Sequence, residues 1–277
     1  MIGRPSVPRS GWHAATVVAK TPETRTAARL VLEVEGWPGN AAGQHLDVRL
    51  TAPDGYTATR SYSIASSGPA TGDATRVVLA VDRVPDGEVS PYLVDDAREG
   101  DRLEVHGPLG AFFVWAPDAA AEVSGAAAAD TVTDAPAVDA PADDPRPVQL
   151  IAGGSGVVPL VAMAQAHADA DDPTPFRLLY SVRTPDDVYF AAELERLRAA
   201  SAPFELDLVY TRTTPDGWPL PPGRVTRDAL AAAVIPATEA PRIFVCGSTG
   251  FVERVASWLI ELGHDARDIR TERFGGT

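Results

Sequence analysis

Arg60-Ser61-Tyr62-Ser63-Ile64-Ala65-Ser66-Ser67 follows a run of strand-like sequence and puts a cation, an aromatic ring and several hydroxyls in one short stretch. In an extended chain successive side chains point to opposite faces. Arg60 and Tyr62 then share one side, and Ser61 and Ser63 the other. A planar guanidinium beside a flat apolar ring suits a flat ligand that carries phosphate. Four residues of the type R-x-Y-S describe an ordinary strand end equally well, so their meaning depends on what surrounds them.

The surroundings read as strands. Residues 14–20 and 29–34 centre on Val17-Val18 and Leu30-Val31-Leu32, with the turn-like Thr21-Pro22-Glu23-Thr24 between them. Residues 43–50 alternate, Pro53-Asp54-Gly55 is a turn, and residues 57–65 form the strand that carries the opening stretch. Residues 76–83 and 101–115 complete the set. Many strands joined by short turns predict an antiparallel barrel. One interruption, Pro85 to Leu93, predicts a short helix with Ser90 as its N-cap and Pro91 at its first position. The N–H groups at such a start favour an anion.

Residues 116–147 differ in kind. Twelve of them are alanine and five are proline, and they carry seven acids against one base, Arg146. Such a composition buries too little apolar surface to offset its ordering entropy, so it reads as a disordered acidic linker. From Val148 onward strands alternate with helices: strands at 148–152, 176–182, 204–210 and 242–246, helices at 157–168, 190–200, 226–234 and 251–262. That alternation predicts a parallel sheet covered on both faces. The resulting division is a barrel domain over 1–115, the linker over 116–147 and an α/β domain over 148–277.

Gly153-Gly154-Ser155-Gly156-Val157-Val158-Pro159 lies between the first strand and first helix of the second domain. Glycines let backbone approach a phosphate, and the helix start adds partial positive charge. The loop lacks the Gly-Lys pair of a Walker loop. It lacks the final glycine of a nucleophile elbow. It departs from G-x-G-x-x-G at Pro159.

Together the two stretches resemble the ferredoxin–NADP reductase superfamily, whose patterns include R-x-Y-S, a following G-x-x-S at Gly87 and Ser90, and G-G-[ST]-G-x-x-P. The resemblance implies an FAD-binding barrel and a nicotinamide-binding α/β domain. On it, Arg60, Gly87 and Ser90 contact the FAD pyrophosphate and Tyr62 packs on the isoalloxazine. Ser63 hydrogen-bonds the reactive flavin nitrogen, and Ser61, Val81 and Val89 complete the flavin set. Gly153, Gly154, Ser155, Gly156 and Pro159 would hold the nicotinamide dinucleotide. Ser181 and Arg183, with Arg212 on the next strand, would read its adenosine end. The Cys246-Gly247 pair would lie beside the nicotinamide, and Glu272 and Phe274 of the terminal segment near the flavin. Ser63, Cys246, Glu272 and Phe274 are thus the implied catalytic residues. The implied activity is electron transfer from NAD(P)H through FAD to a separate one-electron acceptor: a ferredoxin, a monooxygenase or a molybdenum oxidoreductase component. An NAD(P)H oxidase or flavin reductase without a protein acceptor, and a non-catalytic nucleotide-binding subunit, are the alternatives. Two arginines, Arg183 and Arg212, lean the nucleotide choice toward NADPH, although Asp186 and Asp187 stand close by.

Bulk properties narrow the field. The net charge of −14 argues against nucleic acid. A single cysteine, Cys246, excludes an intrachain disulfide and a self-contained iron–sulfur cluster within these residues. The five histidines show no metal spacing, so no metal site is expected. No apolar run approaches the roughly 20 residues of a membrane span. The start Met1-Ile2-Gly3-Arg4-Pro5-Ser6 has no apolar signal core, which reads as cytoplasmic.

Overall fold

A computed structural model describes residues 11–116, 144–200 and 202–275. The first domain is built from β1 (Trp12–Pro22), β2 (Ala27–Glu35), β3 (His45–Thr51), β4 (Thr57–Ser63), β5 (Ala74–Asp82) and β6 (Arg102–Leu109). They form one antiparallel sheet in the order β4-β3-β6-β1-β2-β5. An antiparallel bridge between Ile64 and Leu79 joins its two edges, and the Ala65 amide donates to the Val78 carbonyl at 2.8 Å, so the sheet closes into a barrel. Closure leaves no free edge. Alternation explains the filling: Leu30, Leu32 and Val34 of β2 and Val77, Leu79 and Val81 of β5 point inward and are fully buried.

The second domain holds β7 (Val148–Gly153), β8 (Phe176–Val182), β9 (Phe204–Tyr210), β10 (Arg242–Ser248) and β11 (Ile269–Phe274). All pairs are parallel and the order is β9-β8-β7-β10-β11. Helices α1 (Val157–Asp169) and α2 (Ala191–Arg198) cover one face, and α3 (Arg227–Ala233) and α4 (Thr249–Glu261) the other. Thr226 caps α3, its hydroxyl accepting from the Ala229 amide at 3.2 Å. The expected antiparallel barrel followed by a parallel α/β domain is what the chain forms.

Three details differ from the sequence reading. Ser90 does not cap a helix: its hydroxyl accepts from the Val84 amide at 3.0 Å and ties the 84–90 loop shut. The turn after it closes by an i→i+5 bond from the Ala97 amide to the Tyr92 carbonyl. The terminal segment, read only for its motif, is the fifth strand. The linker expectation falls mostly on residues 117–143, which lie outside the described residues. Asp144 and Arg146, assigned to the same segment, form a charge cluster with Arg242 and Asp268.

The two domains share a core. Ala27, Ala42, Ala80, Phe113 and Trp115 of the barrel side pack into the same buried cluster as α1 and β7. Arg29 of β2 pairs with Glu23 and Glu193, and the Phe190 amide donates to Glu23. Among the described residues no helix is long and apolar enough to cross a membrane.

Candidate active site between the domains

The carboxyl ends of the parallel strands face the barrel, where ligands of open α/β sheets sit. Gly156 opens α1, and a Cβ built on it would lie 2.3 Å from the Cys246 carbonyl oxygen. Gly153 and Gly247 stand side by side on β7 and β10, and a Cβ on either would come within 2.8 Å of the Phe251 ring. Close backbone approach therefore requires glycine at these three places. Gly154 has a left-handed φ of 56° and nothing within 4 Å of its Cβ position, so it faces open space. Ser155 is half-buried, and Pro159 sits buried in the first turn of α1, where a missing amide costs nothing.

On the barrel wall, Arg60 and Ser61 are exposed on β4 and Tyr62 and Ser63 are half-buried. Burial raises the Tyr62 phenol to about 12, so it is neutral. The Ser61 hydroxyl is engaged by Asp47 of the neighbouring strand. Arg60 Nη2 donates to Glu88 at 3.0 Å. Val81 and Val89 are wholly buried in the barrel core, so any contact of theirs with a ligand is through main chain.

The walls meet at a cluster of titratable groups. Ser63 pairs in register with His45 of β3, and His45 Nδ1 lies 3.7 Å from Glu272 Oε1 across the domain boundary. Glu272 stands opposite Cys246 in the β10–β11 register. Burial lifts the Glu272 carboxyl to about 7 and leaves its Oε2 without a hydrogen-bond partner. Burial lowers the His45 imidazole below its ordinary value. Both shifts disfavour charge, so near pH 7 the imidazole is mostly neutral and the carboxyl about half protonated, and the pair is not a full ion pair. Burial, with Glu272 adding to it, pushes the Cys246 thiol well up, so Cys246 is not a thiolate nucleophile. Phe274 ends β11 opposite Ser248 and is partly exposed.

At the far end of the sheet, Ser181 is buried and Arg183 and Arg212 are exposed. The Arg212 amide donates to the Arg183 carbonyl at 2.9 Å, which holds the two residues together. Asp187 accepts from the Thr184 hydroxyl at 2.8 Å.

Ser63 is thus linked to Glu272 through His45, and Glu272 to Cys246 through the strand register, while on the barrel wall Arg60 is exposed, Gly87 half-buried and Ser90 buried. Sequence reasoning missed His45, Glu88 and Phe251. The acid between Gly87 and Ser90 was visible as a negative charge inside an expected anion loop. His45 and Phe251 carried no signal, because only strand pairing and packing place them. Among the described residues no group of three His, Cys, Asp or Glu side chains is arranged to hold a metal ion.

The geometry fits a flat cofactor on the barrel and a dinucleotide on the glycine loop, and comparisons with known proteins agree. Residues 15–114 match the oxidoreductase FAD-binding domain, and residues 150–257 the oxidoreductase NAD-binding domain. The glycine betaine monooxygenase reductase subunit of Chromohalobacter salexigens is 30% identical over 236 residues, covering 85% of this chain and 56% of that protein. A flavohemoprotein of Rhodopirellula baltica is 30% identical over 278 residues, covering 96% of this chain and 62% of that protein. The chain therefore spans little more than half the length of these relatives. The FAD/NAD-binding domain of nitric oxide dioxygenase from Vibrio cholerae superposes with a TM-score of 0.74 at 23% identity, covering 95% of this chain and 99% of that one, and shares its fold.

Proposed function

The chain belongs to the ferredoxin reductase-like oxidoreductases, which join an FAD-binding domain to an NAD-binding domain, and from that premise we propose that it moves electrons from NAD(P)H through FAD to a separate one-electron acceptor. The observation that supports this reading most is the run of neighbours across the domain boundary, Ser63 beside His45, His45 Nδ1 3.7 Å from Glu272, and Glu272 beside Cys246. Domain limits of 1–115 and 148–277, with the intervening segment as a linker, go with it.

FAD, when bound, supplies the capacity to accept a hydride and release single electrons; the protein supplies binding, geometry and electrostatics. Arg60 would hold the FAD pyrophosphate with main-chain N–H groups of the 87–90 loop, and Tyr62, neutral and half-buried, would cover the ring system. Gly153, Gly154 and Gly156 would let the nicotinamide dinucleotide lie against bare backbone at the α1 start. The Cys246-Gly247 pair and Phe251 would form the floor on which the nicotinamide rests. Ser63 would hold a proton at its hydroxyl, within reach of the flavin edge. Glu272, at about 7, is poised to hold or release a proton at neutral pH. Phe274 would shield the flavin from water.

Arg183 and Arg212 support NADPH over NADH, since a 2′-phosphate calls for paired cations at that strand end. The acceptor follows the relatives: a monooxygenase component or another one-electron carrier, such as a ferredoxin or molybdenum oxidoreductase component.

The test is anaerobic. The purified protein should be yellow, release FAD on heating, bleach on addition of NADPH, and reduce a one-electron dye afterwards. FMN as the sole flavin, or no bleaching with either nucleotide, overturns the reading. Arg60→Ala should weaken FAD binding about 10- to 100-fold, the value of one charge-assisted bond.

A further inference from the structure

The Arg60 guanidinium is already engaged. Nη1 donates to the Thr59 carbonyl at 2.7 Å and Nη2 to Glu88 Oε2 at 3.0 Å. The other oxygen of Glu88 accepts from the Tyr56 hydroxyl at 2.6 Å. Glu88 lies between Gly87 and Ser90, on the loop that Ser90 pins to Val84. A carboxylate is therefore delivered to Arg60 by the same loop that would meet the phosphate. Carboxylate and phosphate both present paired anionic oxygens to a guanidinium, so they compete for one fork.

We propose that Glu88 is a built-in competitor for the diphosphate of FAD: it closes over Arg60, must be displaced when FAD binds, and sets how tightly and how reversibly the flavin is held. This rests on the reading of Arg60 as the phosphate anchor. Two features separate the arrangement from an incidental surface pair. Tyr56 and Arg60 clasp opposite oxygens of the same carboxylate, which fixes its orientation. Displacement also does not remove the charge, because Glu88 stays on the loop with Asp86 two residues away and repels the diphosphate. Both effects weaken FAD binding in the same direction. The outcome is a flavin that exchanges with the free pool rather than one held permanently.

The experiment titrates the full-length apoprotein with FAD and with riboflavin, following flavin fluorescence, for wild type, Glu88→Gln, Tyr56→Phe and Arg60→Ala. Glu88→Gln keeps the shape and removes the charge; its FAD dissociation constant should fall about fivefold, the upper range for freeing an exposed ion pair. Tyr56→Phe should tighten FAD about twofold, as a lost neutral hydrogen bond loosens the clasp. Riboflavin, which has no phosphate, should bind wild type and Glu88→Gln alike. An unchanged or weaker FAD affinity in Glu88→Gln overturns the proposal, the weaker case meaning that Glu88 orients Arg60 for the phosphate. Equal tightening of riboflavin also overturns it. An Arg60→Ala protein that binds FAD as wild type does would instead overturn the anchor reading, and the competitor with it.

Discussion

The two walls of the site are held by different forces. On the α/β side, Gly153, Gly156, Gly247 and Phe251 interlock so closely that a single added methyl group would collide with a carbonyl or a ring. On the barrel side, Arg60, Glu88 and Tyr56 form an exposed charge network in which every partner could be exchanged for another. Steric fixation leaves one solution and tolerates no substitution. Electrostatic fixation tolerates substitution and responds to ligand and salt. The dinucleotide wall should therefore fail by unfolding or misplacement, and the flavin wall by graded changes of affinity.

The largest effect tests the steric side. Gly156→Ala puts Cβ 2.3 Å from the Cys246 carbonyl, a backbone atom that cannot rotate away. The expected loss of stability exceeds about 3 kcal/mol, the upper end for overpacking. Gly154→Ala, two residues earlier, meets nothing within 4 Å and carries only the cost of its left-handed φ, about 1–2 kcal/mol. Denaturant unfolding of both variants orders them. Equal losses would mean that the crossing of α1 and β10 is looser than its geometry, and the contrast between the walls would break.

The next effect comes from Glu272, a largely buried carboxyl on the α/β side. Burial raises the Glu272 carboxyl from 4.5 to about 7. A raised acid binds its proton more tightly in the folded state. Its contribution to stability is complete below about pH 4.5 and is lost as pH rises to about 7, amounting to about 3 kcal/mol over the window. His45, His167 and His264 are lowered by burial and work in the opposite direction, their contribution failing as pH falls below about 6.5. The net slope of wild type mixes the two signs, so the informative quantity is the difference between wild type and Glu272→Gln. Stability measured by denaturant at pH 5 and pH 8 should drop more for wild type than for the variant. Parallel profiles would show that Glu272 is hydrated and is no proton store.

What the sequence disclosed follows the same division. Strands buried on both faces were read within a residue: Val148–Gly153 and Phe176–Val182 stand where their apolar runs end. The glycine loop was legible because its chemistry is local. The edge strand β11, Ile269–Phe274, was not, because its sequence alternates charge with few apolar residues and its partner β10 supplies the pairing. Ser90 was misassigned as a helix cap because a serine hydroxyl can serve an amide six residues back as readily as one ahead. His45 became part of the site only through the register that sets it opposite Ser63.

Nucleotide choice tests an exposed pair of charges on the α/β side itself. Arg183 and Arg212 are exposed and adjacent, while Asp187 is engaged by Thr184. Arg183→Ala should raise the NADPH Michaelis constant far more than that of NADH, changing specificity by one to two orders of magnitude for a contact of about 1.5–3 kcal/mol. Steady-state kinetics with both nucleotides decide it; a wild type that prefers NADH removes the assignment.

The smallest effect concerns residues 118–142, which lie outside the described residues. Their flanks are held by both kinds of force. Before it, the Val114 carbonyl accepts from Arg270 at 3.1 Å and Trp115 packs edge-on against Phe176 at 4.9 Å. After it, Asp144 is bound by Arg146 at 2.8 Å and approached by Arg242 at 3.7 Å, with its side chain only 9% exposed. The Asp144 carboxyl is held below its ordinary range, first by the hydrogen bonds from Arg146. The alanine- and proline-rich composition of the residues between the flanks predicts little contribution to stability. Replacing 118–142 by a short Gly/Ser linker should leave unfolding stability within about 0.5 kcal/mol and FAD content unchanged. Carrying the replacement through Asp144 takes away the shared partner of two arginines and should cost roughly 1.5–3 kcal/mol. Thermal unfolding of the two variants, differing by two acids, locates the true edge of the α/β domain. If the shorter replacement already destabilises, residues 118–142 carry contacts that their composition conceals. If the longer one costs nothing, the Asp144 cluster is an exposed ornament and the domain begins at Val148.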